Sequence, residues 1–266
     1  MKRMMSRYTQ TRVLDGVLTE QQVRAFRRDG YVIVPGLFGL AEIEQISAWV
    51  EEVQNWEETP GRHMMYFEQT EEPHPRRILN RVENVLPYHH EFKALAASDN
   101  MQGACSQLFG EPAVLFKDKI NYKMAGGSGF ESHQDMQAGW SRYASAHITA
   151  LISVDLSTRE NGCLELAAGF HERGLIGEEW APLSEKQFAQ ANYIAVEAAP
   201  GDAVFFDSLT PHRSGSNNTD RPRRILYYTY NKASEGDHLT QYYADKRESY
   251  PPDIEREAGK KYVYRV

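Results

Sequence analysis

The sequence predicts a mainly β fold with helical padding, a double-stranded β-helix of the jelly-roll or cupin-like type preceded by N-terminal helices. Three observations predict it: helical periodicity in the first 112 residues, a run of short strands after them, and no linker or repeat between the two parts. We therefore expect a single domain over residues 1–266, with a mostly helical part over 1–112 and a jelly-roll core over 113–266.

The helical part opens with a short capped helix and a strand. Thr19 occupies an N-cap position, Val23 and Phe26 share one face of the helix, and Gly30 ends it. The segment "YVIVP" has the β-branched composition of a strand, and Pro35 stops it because proline cannot donate a ladder hydrogen bond. The sequence thus predicts a helix followed at once by a strand.

Two more helical segments and one loop complete this part. The segment "LAEIEQISAWVEEVQNW" has apolar residues at helical spacing, namely Ile43, Ile46, Trp49 and Val50. The segment "EFKALAASDNMQGACSQLFG" is also helical in pattern and ends at Gly110, a C-cap glycine. The range 58–77 is polar and contains prolines, so we predict a loop there that lies over a site.

From residue 114 the pattern becomes that of short strands. The five segments are "VLFKDKINYKM", "HITALISVDLS", "YIAVEAA", "DAVFFDSL" and "RRILYYTYN". Alternation along the first segment gives two faces, one with Lys117, Lys119, Asn121 and Lys123, and the other with Phe116, Ile120 and Tyr122. We expect one or two of the lysines to point into the barrel, and the sequence does not choose between them.

Composition and charge limit the classes of partner and compartment. A net charge of −7 argues against nucleic acid or an anionic membrane surface as a partner. No apolar run reaches the roughly 20 residues that span a bilayer, and the start "MKRMMSRYTQTRVLDG" lacks the apolar segment of a secretory signal. The two cysteines, Cys105 and Cys163, form no disulfide framework. We therefore expect a cytoplasmic protein with a small-molecule substrate; its oligomeric state is not specified.

A metal site is predicted from His133 and Asp135, two positions apart in "FESHQDMQAGW", because alternate residues of a strand point to the same face. His212 follows a strand in "DAVFFDSLTPHRSG". Two imidazoles and one carboxylate leave three positions of an iron open, as in non-haem Fe(II) oxygenases, which need them for O₂ and a 2-oxo acid. Arg223, 11 residues after His212, offers a planar fork for the distal carboxylate of that acid, and Ser214 offers a hydroxyl.

In this combination of motifs the chain resembles the phytanoyl-CoA dioxygenase family of Fe(II)- and 2-oxoglutarate-dependent oxygenases. The matching segments are "LTEQQVRAFRRDGYVIVPGLF", "HQD", "NGCLELAAGFHERG", "PGDAVFFDSLTPHRSGSN" and "RPRR". They extend from about Thr19 to the end of the chain. The resemblance implies Fe(II) as cofactor, and 2-oxoglutarate and O₂ as co-substrates.

The resemblance also implies roles for individual residues. The implied iron ligands and catalytic residues are His133, Asp135 and His212. The implied co-substrate contacts are Arg223 on the distal carboxylate with Ser214 beside it, and Asn121, Lys119 and Gln134. Arg224 is the alternative to Arg223, because a slip of one residue along the strand would turn it inward.

The substrate is indicated by a narrower resemblance. The segments "FKDKINYKMAGGSGFESHQDMQAGW" and "YYTYNKASEGDHLTQYYADKR" look like a branch that includes 2-aminoethylphosphonate and 2-(trimethylammonio)ethylphosphonate dioxygenases. Lysines could neutralise a phosphonate, and aromatic faces could hold an ammonium. Besides Lys119, the candidate substrate residues are Gln137, Trp140, Tyr143, Tyr230 and Asn231. Asp135 favours hydroxylation, since a halogenase loses the carboxylate ligand to make room for halide.

Three alternatives stay open at this point. An oxygenase of the same family could act on another small metabolite, such as an amino acid derivative or a natural-product intermediate. A jelly roll with a metal could also be a cupin-type enzyme that uses Zn²⁺ or Mn²⁺, or a binding module without chemistry. Arg223 with Ser214 favours the oxygenase, because neither of the last two classes requires a carboxylate fork at that position.

Overall fold

The computed structural model describes residues 16–71 and 73–262, so the ends of the predicted domain lie outside the described residues. Its first part contains these elements: α1 (Glu20–Asp29), β1 (Tyr31–Val34), α2 (Leu40–Gln54), β2 (Met64–Gln69), β3 (Arg77–Glu83), α3 (His90–Ala96), a π turn (Asp99–Gly103) and α4 (Ala104–Phe109). The predicted caps are confirmed. Thr19 forms a capping box with Gln22, and Gly30 and Gly110 end their helices at φ 80° and 75°, in the left-handed region that glycine adopts without strain.

The second part consists mainly of strands. Its elements are β4 (Ala113–Lys123), β5 (Phe130–His133), β6 (His147–Ser153), β7 (Leu164–Ala167), α5 (Glu185–Phe188), β8 (Tyr193–Val196), β9 (Ala203–Asp207), β10 (His212–Ser214), β11 (Arg223–Lys232) and α6 (Leu239–Ser249). All five predicted strands are present. The strand expected at His133 is present as β5, but Asp135 lies in the 3-10 turn that follows it, and His212, expected just after a strand, begins the short strand β10.

Two antiparallel sheets form the body of the molecule. One has seven strands in the order β1-β9-β6-β11-β4-β3-β2, and the other has four in the order β5-β10-β7-β8. Apolar side chains from both sheets pack together between them, including Leu151, Phe206 and Tyr227 from the larger sheet and Leu164 and Leu166 from the smaller. The predicted fold class, a jelly roll with helical padding, is confirmed.

Helices α1 to α4 cover the outer face of the seven-stranded sheet. The predicted apolar stripe of α2 is buried there, with Ile43, Ile46 and Val50 at 5% exposure or less. Tyrosine hydroxyls of the sheet donate to helix carbonyls: Tyr122 to Val50, Tyr228 to Phe92 and Tyr230 to Ala96, at 2.7–3.0 Å. These bonds satisfy buried polar groups on both partners, so they fix the helices on the sheet.

The predicted loop over 58–77 is wrong for residues 64–69, which form β2. Met64, Met65 and Tyr66 are buried, and β2 pairs with β3, which in turn pairs with β4. The range 58–77 is polar and contains prolines on average, so its short apolar segment at 64–67 was not recognised as a strand. Strands β1, β2 and β3 of the first 112 residues thus extend the larger sheet, and β2 forms one of its edges.

The predicted facing of β4 is correct except at Phe116. A β-bulge lies between the rungs Thr229–Lys117 and Tyr230–Leu115, so the β4 strand has one extra residue there. The bulge turns Phe116 to the inner face, where it packs against Trp140 with ring centroids 5.2 Å apart. Ile120 and Tyr122 remain on the helix-covered face, as expected.

None of the described helices combines the length and the apolar character needed to cross a membrane.

Candidate active site

Three candidate ligands meet at the open end of the two sheets. His133 ends β5 and His212 begins β10, and the two are direct partners across these strands, with ring centroids 4.2 Å apart. Asp135 opens a 3-10 turn two residues after His133, and its Oδ1 lies 3.8 Å from Nε2 of His212. One potential ligand atom from each residue lies within 4.8 Å of the others. The structure therefore brings the predicted triad together.

Both imidazoles present a lone pair to the site. Nδ1 of His133 lies 2.7 Å from the carbonyl oxygen of Glu131, and Nδ1 of His212 lies 3.0 Å from that of Thr210. A carbonyl only accepts, so each Nδ1 carries the proton and each Nε2 is free to coordinate. Burial lowers the pKa of His133 to about 3 and also lowers the pKa of His212, so both rings are neutral at pH 7.

Asp135 is oriented by two threonines. Oγ1 of Thr149 donates to Oδ2 of Asp135 at 3.1 Å, and Oγ1 of Thr229 lies 3.0 Å from Oγ1 of Thr149. Because Thr149 uses its hydrogen on the carboxylate, Thr229 is the donor between the two hydroxyls. Burial acts to raise the pKa of Asp135, but His212 and Lys119 outweigh it and the pKa is lowered. The carboxylate is ionised, with Oδ1 directed at the histidines.

This donor set fits a divalent cation such as Fe(II). It consists of two neutral imidazoles and one ionised carboxylate on one side of a common point, which is the 2-His-1-carboxylate arrangement that leaves other coordination positions open. Each candidate ligand is also oriented by one hydrogen bond: the two histidines by backbone carbonyls, and Asp135 by a threonine hydroxyl.

The two adjacent arginines of β11 point to opposite sides. Arg224 forms a bidentate pair with Asp155, at 2.8 and 2.7 Å, and also donates to Ser47 of α2. Arg223 is 2% exposed, and its Nε and Nη1 have no hydrogen-bond partner among the described residues. Burial lowers the pKa of Arg223, while the hydroxyl of Tyr227 interacts with it. The structure thus places Arg223 inside, as predicted, and gives Arg224 an outer partner.

One cavity connects these groups. It is lined by Lys117, Lys119, Asn121, Phe130, His133, Asp135, Trp140, Thr149, Leu164, Phe206, His212, Arg213, Ser214, Tyr227 and Thr229. Of the predicted co-substrate residues, Lys119, Asn121 and Ser214 therefore line it, and Arg223 adjoins it through Tyr227.

The three lysines of β4 have different positions. Lys117 and Lys119 line the cavity. Lys123 does not: its ammonium donates to Oγ of Ser214 at 2.8 Å and to the carbonyl of Gly215. Burial and the neighbouring Arg223 lower the pKa of Lys123 to about 7. The hydroxyl of Ser214 accepts from Lys123 and keeps its own hydrogen to donate to a ligand.

The structure does not bring Gln134 or Gln137 to the cavity. Gln134 donates to the carbonyls of Gly174 and Leu209 and accepts from the amide of Ile176. Gln137 donates to the carbonyls of Glu178 and Ala181. Both side-chain amides are hydrogen-bonded to backbone groups. These bonds attach residues 174–181 to the turn that carries Asp135.

Of the predicted substrate residues other than Lys119, only Trp140 lines the cavity. Tyr143 donates to Asp245, and the amide of Asn231 donates to the carbonyls of Lys232 and Gly236. The prediction that Tyr230 contacts the substrate is wrong. Tyr230 lies on the helix-covered face, and its hydroxyl donates to the carbonyl of Ala96. Even-numbered residues of β11 share the face of Arg224, so the alternation excludes Tyr230 once Arg223 is placed inside.

Sequence reasoning missed several cavity residues. Tyr227 and Thr229 share the face of Arg223, and the same alternation would have identified them. Thr149 gave no such signal, because its strand is buried throughout and its contact with Asp135 depends on tertiary packing.

The threonine bond to Asp135 generates a prediction. Thr149→Val keeps the side-chain shape but removes the donor that fixes Oδ2. We expect divalent-metal affinity to fall by about 10- to 100-fold, as for other losses of a group that orients a ligand. Anaerobic titration with Fe(II) or Co(II) measures the effect. Thr149→Ser, which keeps the hydroxyl, is the matched control and should bind within about threefold of the wild type; equal affinity in Thr149→Val would show that the threonine does not orient the ligand.

Comparison with known proteins agrees with this geometry. Residues 26–225 match the family model "Phytanoyl-CoA dioxygenase (PhyH)". The chain is 42% identical to the 2-aminoethylphosphonate dioxygenase of uncultured bacterium HF130_AEPn_1, over 92% of this chain and 93% of that protein. It is 39% identical to the methylphosphonate hydroxylase of Gimesia maris, over 89% and 90%.

Solved structures agree on the fold. EctD from S. alaskensis, solved with 2-oxoglutarate and 5-hydroxyectoine, superposes with a TM-score of 0.71 at 21% identity, over 86% of this chain and 80% of that one. The epimerase SnoN, solved with Fe³⁺, α-ketoglutarate and nogalamycin RO, gives a TM-score of 0.67 at 20% identity, over 93% and 95%. The predicted relationship is confirmed: the chain belongs to the phytanoyl-CoA dioxygenase family of Fe(II)- and 2-oxoglutarate-dependent oxygenases.

Proposed function

We propose that the chain is an Fe(II)- and 2-oxoglutarate-dependent dioxygenase that hydroxylates a small phosphonate of the 2-aminoethylphosphonate type at the carbon bonded to phosphorus. The observation that carries the proposal is one cavity whose wall combines three metal donors with cationic side chains. The two relatives of about 40% identity support the substrate class, since both are named for phosphonates.

The proposed roles follow from the positions of the side chains. His133, Asp135 and His212 would hold Fe(II), which with 2-oxoglutarate and O₂ supplies the oxidising power to replace a C–H hydrogen by hydroxyl as the 2-oxo acid is decarboxylated. Asp135 keeps its carboxylate ionised and oriented, which favours hydroxylation over halogenation.

Arg223 supports the co-substrate. A buried guanidinium normally has its N–H groups hydrogen-bonded, yet Nε and Nη1 of Arg223 have no partner among residues 16–71 and 73–262. A carboxylate can accept a charge-assisted hydrogen bond from such an unpartnered N–H group. Ser214 and Tyr227 line the cavity beside it and would complete the contact with the distal carboxylate. Lys119 and Asn121 line the same cavity and are proposed to contact the remainder of the molecule.

The alternatives are weaker on the same evidence. A cupin-type Zn²⁺ or Mn²⁺ enzyme, or a binding module, would have no use for a buried arginine fork next to the metal donors. An oxygenase for another small metabolite would have the same metal donors and the same arginine. The additional lysine on the cavity wall, Lys117, favours an anionic substrate such as a phosphonate. We also propose a cytoplasmic location, which the two free cysteines, Cys105 and Cys163, support.

The first functional prediction concerns substrate and metal. With Fe(II), 2-oxoglutarate and O₂, the protein should convert 2-aminoethylphosphonate or one of its N-methylated forms, and phosphorus NMR should show a new resonance as the carbon next to phosphorus is hydroxylated. His133→Ala, Asp135→Ala and His212→Ala should each abolish turnover without loss of the folded state, since the three residues lie at the rim between the sheets.

Two results would contradict this prediction in different ways. Full activity in any of the three variants would exclude that residue as a ligand. If no phosphonate gave a product or stimulated succinate formation while another acid did, the oxygenase assignment would stand and the phosphonate assignment would fail.

The second functional prediction concerns the co-substrate. Arg223→Ala removes a charge-assisted bidentate contact, which is worth about 2–3 kcal/mol, so KM for 2-oxoglutarate should rise roughly 30- to 150-fold. Arg224→Ala is the matched control: it breaks the pair with Asp155 and lowers the melting temperature, but KM for 2-oxoglutarate should change little. Steady-state kinetics with varied 2-oxoglutarate measure both. The opposite order of effects would mean that the strand register is wrong.

A further inference from the structure

A second group of charged side chains lies beside the metal donors and has no part in holding the metal. At its centre is Glu83, which is 1% exposed. Nε of Arg81 donates to Oε1 of Glu83 at 2.8 Å, Nζ of Lys117 lies 3.8 Å from the same oxygen, and Lys246 donates to Oε2. Three cationic side chains therefore surround one carboxylate in a buried position.

Strand pairing places this cluster on the cavity side of the larger sheet. Glu83 is the direct partner of Lys119 on β4, and Arg81 is the partner of Asn121. Lys119 and Asn121 both line the cavity. Lys246 comes from α6, which packs against β4 and closes this side of the sheet. Lys117 belongs both to the cluster and to the cavity wall.

Lys117 and Lys246 share one carboxylate, that of Glu83. In the described residues, Glu83 is the only carboxylate within ion-pair distance of Lys117 or Lys246, and Lys119 has none. The pKa of Glu83 is lowered in spite of burial, because Lys117, Lys246 and Arg81 act on it. Excess buried positive charge is unfavourable unless an anion neutralises it. The wall beside Lys117 therefore favours an anionic ligand.

Lys117 and Lys119 face different ends of the cavity. Nζ of Lys119 lies over the ring of Tyr227 at 4.7 Å, and Tyr227 interacts with Arg223. This is the end proposed for 2-oxoglutarate. Nζ of Lys117 lies 5.6 Å from the ring of Trp140 and 5.5 Å from that of Tyr242. Lys117 thus lies at the aromatic end, away from the proposed co-substrate contacts.

We infer that Lys117, held in place by Glu83, binds the phosphonate oxygens of the substrate at the Trp140 end of the cavity, whereas Lys119 serves the co-substrate end. This inference rests on the proposed function. A phosphonate dianion offers three acceptor oxygens and twice the charge of a carboxylate, which suits a wall where Lys117 shares the carboxylate of Glu83 with Lys246. Lys117 is therefore a residue that determines specificity for the charge of the substrate.

The test is a pair of matched substitutions on one face of one strand. Lys117→Met removes the charge and keeps the length of the side chain. KM for 2-aminoethylphosphonate should rise about 10- to 100-fold, as for loss of a charged hydrogen bond, while KM for 2-oxoglutarate stays within about twofold. Lys119→Met should have the opposite effect, with KM raised for 2-oxoglutarate and little changed for the phosphonate.

A binding measurement supplies a readout other than turnover. Calorimetric titration of 2-aminoethylphosphonate into the anaerobic protein loaded with Fe(II) and 2-oxoglutarate should show the same weakening in Lys117→Met. Methylphosphonate, which lacks the ammonium, should be weakened to a similar extent, because the contact is with the phosphonate. Lys117→Arg keeps the positive charge and should recover part of the affinity, which also guards against a variant that fails to fold.

The outcomes separate the inference from the proposed function. Wild-type phosphonate affinity in Lys117→Met would overturn the inference and leave the proposed function intact, as would an equal rise of both KM values. If the wild-type protein neither binds nor converts any phosphonate, the proposed function fails and the inference fails with it.

Discussion

The position of every inward-facing group depends on the register of β11 between β4 and β6. On its outer side, Arg224 is clamped by Asp155, and Tyr228 and Tyr230 donate to carbonyls of α3. Because side chains alternate between the two faces of a strand, the odd-numbered residues of β11, including Arg223 and Tyr227, then face the cavity. A shift of one residue would bury Arg224 inside and break all three outer contacts, so the packing of the helices also fixes the chemistry of the cavity.

The cavity between the two sheets is lined by several buried polar groups. Burial lowers the pKa of His133 to about 3, and burial together with Lys117 lowers the pKa of Lys119 to about 8. In a region dedicated only to stability, apolar side chains would serve better. Strongly perturbed groups that share one cavity are typical of functional sites, and here each has a separate proposed role toward metal, co-substrate or substrate.

The sequence was sufficient where residues are recognised by their spacing along the chain. His133, Asp135, His212 and Arg223 could be recognised as a motif by their spacing, although Asp135 reaches the site from a 3-10 turn and not by alternation along a strand. The N-caps and C-cap glycines were equally readable, because capping depends on neighbours within three or four residues.

The sequence was insufficient where the outcome depends on distant contacts. Gln134 and Gln137 lie beside a ligand in sequence, but their amides bind backbone groups of residues 174–181, which no local pattern reveals. The bulge that turns Phe116 inward is a mismatch between two strands, and neither strand shows it alone. The contact of Glu83 on β3 with the cavity residue Lys117 also depends on a pairing between segments some 40 residues apart.

We propose that one cavity binds the metal at His133, Asp135 and His212, with 2-oxoglutarate at the Arg223 end and the phosphonate at the Trp140 end. An anaerobic crystal structure of the protein with Fe(II), 2-oxoglutarate and 2-aminoethylphosphonate tests it most directly. We expect anomalous signal for iron between His133, Asp135 and His212. The distal carboxylate of 2-oxoglutarate should lie on Arg223, and the phosphonate should lie beside Lys117. Iron at any other position, or a distal carboxylate away from Arg223, would contradict it.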